Sequence, residues 1–317
     1  MTTLTTPTGR FLGRWASGSP EWHQAREHRM TGSRIAGVVG LSKYASRYST
    51  WCEMAGLVKP DPQNEDQARG HFLEGGVADW FAAEHPEFKL VEAGTWIHAD
   101  PERDWQLANP DRLLLQHGRV VGGLEIKTDE SGREWGMPGT NEIPVHYAAQ
   151  VQWYMDTLGL DWWKVAVLVG RGFQFREYHI DYNPDDSEWM REQAEKFLVS
   201  IAWDEMPPVD GHKATVRTVR KRHPAIDPNL VYDISPELAD RWLPALSEEK
   251  TALADAKAAK ARAERVRAEL LDAMGLAGRA RYGHDNVARR QAKSGGIPYL
   301  VVESDLPTPD LQGVAAA

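Results

Sequence analysis

The hydrophobic periodicity of this chain changes near residue 90, and that change limits the folds open to it. Residues 68–85 carry Leu73, Val77, Trp80 and Phe81 as an apolar stripe at helical spacing. Residues 93–98, 105–116, 119–128, 162–170 and 173–182 read instead as strands, with Gln116-His117-Gly118-Arg119 as a hairpin turn between two of them. Helices precede them from Glu21, over about 33–40 and over about 47–56, one over 144–159 interrupts them, and one over 185–203 closes the set. This order predicts an α/β (α+β) fold, a mixed central sheet flanked by helices, over residues 21–204.

The flanking segments differ in composition. Residues 1–20, rich in Thr, Gly, Ser and Pro, read as flexible, and residues 205–235, with Pro and basic residues, read as a linker. Residues 236–275 suggest a long helix or helical pair. Leu246 and Leu253 are a heptad apart, but Lys260 and Arg267 follow in the same register, so a sustained coiled coil is not supported. Within the 236–303 extension, residues 279–303 read as a basic hairpin and a short strand, and 304–317 as a disordered tail.

Composition excludes several classes. The single cysteine, Cys52, permits no internal disulfide and no Cys-based zinc or iron–sulfur site, which fits a reducing cytoplasm. The N-terminal MTTLTTPTGR lacks the apolar run of a signal peptide, no stretch suits a membrane span, and no Walker-type loop suggests ATP. A net charge of -9 argues against indiscriminate nucleic-acid binding but leaves a local site open, since clustered carboxylates that hold cations lower the total charge.

Chemistry concentrates at Pro110-Asp111 and, past the hairpin turn, Glu125-Ile126-Lys127. Strand alternation points Glu125 and Lys127 the same way and sends Leu124 and Ile126 to the core, while Asp111 can face Glu125 across the hairpin. Asp111, Glu125 and the carbonyl of Ile126 then offer oxygen ligands to a hard cation such as magnesium. Such a cation activates water and neutralises phosphate charge, and Lys127 can orient the attacking water. Read on spacing alone, a surface salt bridge is favoured, since acidic and basic residues two apart in a strand are common and so short a motif is weak. Glu74 sits beside its helix stripe before Gly75-Gly76, a pair that suggests close backbone approach. Gln150 and Tyr154, four apart, share a helix face, and Gln150 could hydrogen-bond a metal water or phosphate. Arg26 suits bidentate phosphate binding, and Ser33 in Thr31-Gly32-Ser33-Arg34 could add a donor or simply cap a helix. Two basic runs are candidate phosphate contacts or solvated surface: His212 to His223, with Lys213, Arg217, Arg220, Lys221 and Arg222, and the set Arg279, Arg281, Arg289 and Arg290.

In this order the motifs Glu21-Trp22…Arg26, Thr31-Gly32-Ser33-Arg34…Gly40-Leu41-Ser42-Lys43-Tyr44, Gly70…Leu73-Glu74, Ala108-Asn109-Pro110-Asp111, Leu124-Glu125-Ile126-Lys127-Thr128 and Tyr147…Gln150-Val151-Gln152…Tyr154 resemble the YqaJ-like viral recombinase family. These are relatives of lambda exonuclease within the PD-(D/E)XK superfamily. Gly70-His71 departs from the Gly-Thr start common there. The resemblance implies a restriction-endonuclease-like core and a 5′ exonuclease that degrades linear double-stranded DNA and leaves a 3′ single strand. It implies metal binding by Asp111 and Glu125 with help from Glu74, a catalytic Lys127, and a 5′-phosphate pocket that includes Arg26 and Ser33, beside Arg34 and Tyr154. It further implies Mg2+ as cofactor, with Mn2+ able to substitute, a single-strand annealing protein as partner, a homo-oligomer that in some relatives is a trimeric ring, and a phage or prophage origin. An endonuclease using the same core, and a non-catalytic DNA-binding module that kept the fold, are alternatives that the residues leave open.

Overall fold

The computed structural model describes residues 4–170, 172–294, 296–304 and 306–307. The chain divides into two compact units, Met1–Ile226 and Asp227–Ala317. No helix among the described residues is long and apolar enough to cross a membrane.

The first unit contains, in order, β1 (Gly9–Gly13), α1 (Pro20–Arg26), β2 (Met30–Thr31), α2 (Gly32–Val38), α3 (Arg47–Met54), α4 (Glu65–Glu84), β3 (Lys89–Glu92), β4 (Thr95–His98), β5 (Gln106–Ala108), β6 (Arg112–Gln116), β7 (Arg119–Asp129), α5 (Val145–Leu158), β8 (Trp162–Val169), β9 (Gln174–Asp181), α6 (Pro184–Ala202) and α7 (Lys213–Arg222). The central sheet has the order β3-β6-β7-β8-β9, in which only β7 and β8 are parallel. A parallel pair cannot be joined by a hairpin, and α5 supplies the crossover. A second sheet runs β1-β4-β5-β2. The mixed α/β architecture expected from the periodicity is therefore present.

Alternation along β7 separates two cores. Leu124 and Ile126 pack with Val77, Ala78 and Phe81 of α4 and Ala166 of β8. The opposite face, with Val165 and Val167, packs against Ala149, Trp153 and Met155 of α5. Gly122 and Gly123 of β7 accommodate the indoles of β8: a Cβ at Gly123 would meet the Trp163 ring at 2.1 Å, and one at Gly122 the Trp162 ring at 2.6 Å. The hairpin turn read from the sequence is present, with His117 at φ 50° and Gly118 at φ 80° closing the pair Gln116↔Arg119.

Several boundaries differ from the expectation. The segment 105–116 is not one strand: β5 and β6 lie in different sheets, broken at Asn109-Pro110-Asp111, where Pro110 has no N–H for a ladder. The strand read at 93–98 likewise begins at Thr95, after Gly94 turns the chain at φ 75° from β3 into the second sheet. Residues 1–20 include β1, which pairs with β4 through Gly9↔His98 and Phe11↔Trp96; polar composition hides a ladder made by backbone groups. Residues 205–235 include α7, whose Ala214 and Thr215 are buried and whose Thr215 hydroxyl lies 2.6 Å from that of Ser46. Here a helix with one small buried face was hidden by its surrounding charge. Its cations are largely engaged within the fold: Arg217 and Lys221 pair with Asp61 at 3.3 and 2.6 Å, and Arg222 donates to the Tyr48 hydroxyl. Gly75 and Gly76, read as a point of close approach, face open space.

The second unit contains α8 (Pro236–Met274), a single helix capped by Ser235, and the antiparallel sheet β10 (Arg279–Tyr282), β11 (Asp285–Gln291) and β12 (Tyr299–Val302). Leu246 and Leu253 of α8 are exposed.

Two stability predictions come from the first unit. Gly123→Ala should destabilise by about 1–3 kcal/mol in urea unfolding, because the buried Trp163 ring has no room to retreat; an unchanged midpoint would contradict this packing. His85, the C-terminal cap of α4, bonds Glu177 of β9 at 2.7 Å and Glu87 at 3.1 Å. Burial opposes the charge on its ring, but these carboxylates outweigh burial and raise its pKa. The charged ring thus contributes stability below about pH 6.5, its unfolded pKa, and loses it as pH rises through the folded value. Unfolding measured across that window should show this decline in the wild type and lose it in His85→Asn.

Candidate active site

The site forms where β6 and β7 part. Their ladder ends at Arg112↔Leu124, and beyond it the Asp111 carboxylate accepts from the Ile126 amide at 2.7 Å. Pro110 frees Asp111 from strand pairing, so its side chain takes the place of a ladder carbonyl. Glu125, one residue before Ile126 and 2% exposed, points to the α5 face. Its Oε1 accepts from Lys127 Nζ at 2.5 Å and from Gln150 Nε2 at 2.6 Å. Gln150 also donates to the Tyr154 hydroxyl at 2.8 Å, and that hydroxyl donates to the Asn109 carbonyl at 3.1 Å. The structure therefore brings Asp111, Glu125, Lys127, Gln150 and Tyr154 together.

The electrostatics follow from burial. Loss of water raises the pKa of Glu125, against the pull of Lys127. It raises that of Asp111 well above the usual carboxylate range, with the nearby Glu125 charge adding to the effect. Lys127, held between Glu125 and Asp111, is raised despite its own burial, and its Nζ stands 4.7 Å from the centre of the Tyr147 ring. Glu125 Oε2 is buried with no hydrogen-bond partner among the described residues. A buried carboxylate oxygen without a donor is costly, and beside a second carboxylate it suits a hard cation. The donor set thus fits a divalent metal, which Asp111 and Glu125 could hold with the backbone carbonyl of Ile126.

Glu74 does not complete a three-carboxylate cluster. No group of three or more His, Cys, Asp and Glu side chains placed to hold a metal occurs among the described residues. Glu74 Oε1 accepts from Arg112 at 2.7 Å, and its charge reaches both Asp111 and Glu125 directly. Arg112 also donates to the Asp111 carbonyl at 2.7 Å, which ties Glu74 to the site by a second route.

One cleft of about 680 Å3 contains Glu74, Asp111, Glu125, Gln150 and Tyr154 together with Arg26 and Ser33. Arg26 donates to Asn109 Oδ1 at 2.9 Å, to Thr31 Oγ1 at 3.3 Å and to Ser33 Oγ at 3.0 Å, and its guanidinium lies 4.1 Å from the Trp22 ring centre. All three acceptors are neutral. Burial, with Arg34 nearby, lowers its pKa to about 10. Such a cation, fixed by neutral groups, is suited to an anion. Gly32 makes the approach possible, since a Cβ there would meet the Tyr154 ring at 2.5 Å. Arg34 donates to the carbonyls of Arg26 and Arg29 at 3.2 and 3.3 Å and lines a neighbouring cavity to which Arg26 and Ser33 also contribute.

Three contributors have no role assigned from the sequence, although Asn109 and Tyr147 lie within the matching motifs. Asn109 joins Arg26 to Tyr154 and donates to Thr95 at 2.6 Å, Arg112 anchors Glu74, and Tyr147 covers Lys127. Their signal was position alone, since Asn109 and Arg112 flank Pro110-Asp111 and Tyr147 lies three residues before Gln150.

Two carboxylates, a lysine two residues beyond the second, and a glutamine from the crossover helix thus meet on a mixed α/β core. Residues 21–161 match the model of the YqaJ-like viral recombinase domain, the family that the motifs resemble. The chain is 29% identical over 221 residues to the uncharacterized protein YqaJ of Bacillus subtilis (strain 168), across 68% of this chain. The match spans 66% of that relative, just under two thirds. Among solved structures it is similar to an alkaline exonuclease from Laribacter hongkongensis, with 23% identity, a TM-score of 0.47, and coverage of 59% of this chain and 94% of that one. A phage-related exonuclease from Haemophilus somnus 129PT matches with 11% identity, a TM-score of 0.41, and coverage of 56% and 96%.

If Asp111 and Glu125 hold a cation, magnesium should raise the unfolding midpoint of the wild type, by about 2.7 kcal/mol at a hundredfold excess over Kd. Asp111→Asn should show no such rise in thermal unfolding; equal shifts in both proteins would rule these carboxylates out as holders.

Proposed function

We propose that this chain is a metal-dependent deoxyribonuclease that degrades linear double-stranded DNA from 5′ ends and leaves 3′ single strands for phage-type recombination. The observation that carries the reading is the shared cleft: the buried Asp111–Glu125 pair and the counter-ion-free Arg26 with Ser33 line one cavity. The YqaJ-like match over residues 21–161 supports it independently.

The residues divide the work. Arg26 and Ser33 hold a terminal 5′ phosphate, which seats the adjacent phosphodiester beside Glu125. Asp111, Glu125 and the Ile126 carbonyl hold Mg2+, for which Mn2+ can substitute, and the metal supplies water activation and charge neutralisation at the phosphate. Lys127, kept protonated by Glu125 and Asp111, orients the attacking water and offsets negative charge as it develops. Gln150 holds Glu125 in place through Oε1. The Glu74–Arg112 pair braces Asp111 through its backbone carbonyl. The enzyme works in the cytoplasm, with a single-strand annealing protein as partner and as a homo-oligomer.

Digestion of linear and covalently closed circular duplexes with magnesium tests the reading, with 5′-phosphorylated and 5′-hydroxyl ends compared. Linear DNA alone should be degraded, faster with the 5′ phosphate. Lys127→Ala should lose at least about a hundredfold in rate, in the range that positioned proton and electrostatic groups contribute. Cutting of closed circles would make the enzyme an endonuclease, and no metal-dependent cleavage of either substrate would leave a DNA-binding module.

A further inference from the structure

The second unit carries an arginine face that the proposed chemistry does not use. Between Arg279 and Val302 the chain has five Lys and Arg residues and a single Asp or Glu, Asp285. The ladder sorts these cations by face. Arg279 and Arg281 are two apart on β10, and Arg289 of β11 stands directly opposite Arg279. Gln291, two further along β11, stands opposite Tyr299 of β12. By alternation Arg279, Arg281, Arg289 and Tyr299 share one face, and all four are exposed. The other face is the packed one: Ala288 is buried, Leu300 is half-buried, and Arg290 donates to the Gly275 carbonyl at the end of α8.

Two features set this face apart from ordinary solvated charge. Like charges directly opposite one another in a ladder destabilise a sheet, yet Arg279 and Arg289 occupy such a pair. Among the described residues, no carboxylate makes an ion pair with Arg279, Arg281 or Arg289. The basic run of α7, by contrast, is engaged with Asp61 and Tyr48. Cations about 7 Å apart along a strand, at roughly 3.4 Å per residue, and about 5 Å apart across it, suit successive phosphates of an extended polynucleotide. Tyr299 adds an aromatic surface, and a base can stack on it only when unpaired.

We propose that the outward face of β10–β12 binds single-stranded DNA through Arg279, Arg281 and Arg289, with Tyr299 stacking on a base. The inference rests on the proposed function only for the origin of that strand, the 3′ tail left by resection. Its binding can be measured without cleavage.

The test uses the full chain in EDTA with a fluorescent 30-nucleotide oligo(dT) and, separately, a duplex of equal length, read by anisotropy across salt concentrations. The Arg279→Ser/Arg281→Ser/Arg289→Ser variant should bind oligo(dT) at least tenfold more weakly at low salt. The slope of log K against log salt should shrink by about 2, at roughly 0.7 for each phosphate of a single strand that the variant no longer neutralises. Tyr299→Ser should weaken oligo(dT) binding and leave the slope unchanged. Relief of the Arg279–Arg289 repulsion should leave the unfolding midpoint equal or higher, which shows that lost binding is not lost folding. Unchanged oligo(dT) affinity in the triple variant would overturn the proposal, and so would loss confined to the duplex. Failure of the nuclease assay would leave this result standing, because no cleavage enters it.

Discussion

The Glu125 carboxylate, buried on the central strand of the main sheet, is the constraint around which the first unit is arranged. A charge in that position costs several kcal/mol unless it is paired and hydrogen-bonded. Strand alternation brings Lys127 to the same face, and the crossover helix that a parallel β7–β8 pair demands delivers Gln150. These two donors satisfy Oε1 and leave Oε2 without one. The fold thus stabilises a carboxylate only in part, and what remains unsatisfied is where a cation gains most.

Around this pair the chain approaches from three directions. Pro110 ends a strand so that Asp111 can reach the Ile126 amide, Asn109 just before it fixes Arg26, and Arg112 just after it fixes Glu74. Four consecutive residues therefore tie the Arg26 guanidinium, the Asp111 carboxylate and the Glu74–Arg112 ion pair to one break between two sheets. A shift of that break by one residue would reverse the faces of all of them.

Much of this could be read from the amino-acid order, for physical reasons. Glu125-Ile126-Lys127 is legible because alternation is local: it needs only a strand to put two side chains together. Gln150 and Tyr154 are legible because helical spacing is equally local. The hairpin turn followed from Gly118. What escaped depends on distant backbone. That Glu74 bonds Arg112 cannot be read from α4 alone, because the partner lies on β6. That one nitrogen of Arg34 donates to the carbonyls of Arg26 and Arg29 depends likewise on how the chain turns between α1 and α2. β1 and α7 were read as loop and linker because their stabilising partners, Trp96 and Ser46, lie far away in the chain.

The glycines of β7 bear on how such a chain can vary. Gly122 and Gly123 leave the space that Trp162 and Trp163 fill, one on each face of the strand that carries Glu125 and Lys127. A side chain gained at 123 has nowhere to go while Trp163 remains, and a smaller residue at 163 leaves a void the size of an indole. Each change alone costs stability, so the two positions drift most readily as a pair. Glu125 and Lys127 thereby sit beside a two-position lock that resists being opened one residue at a time.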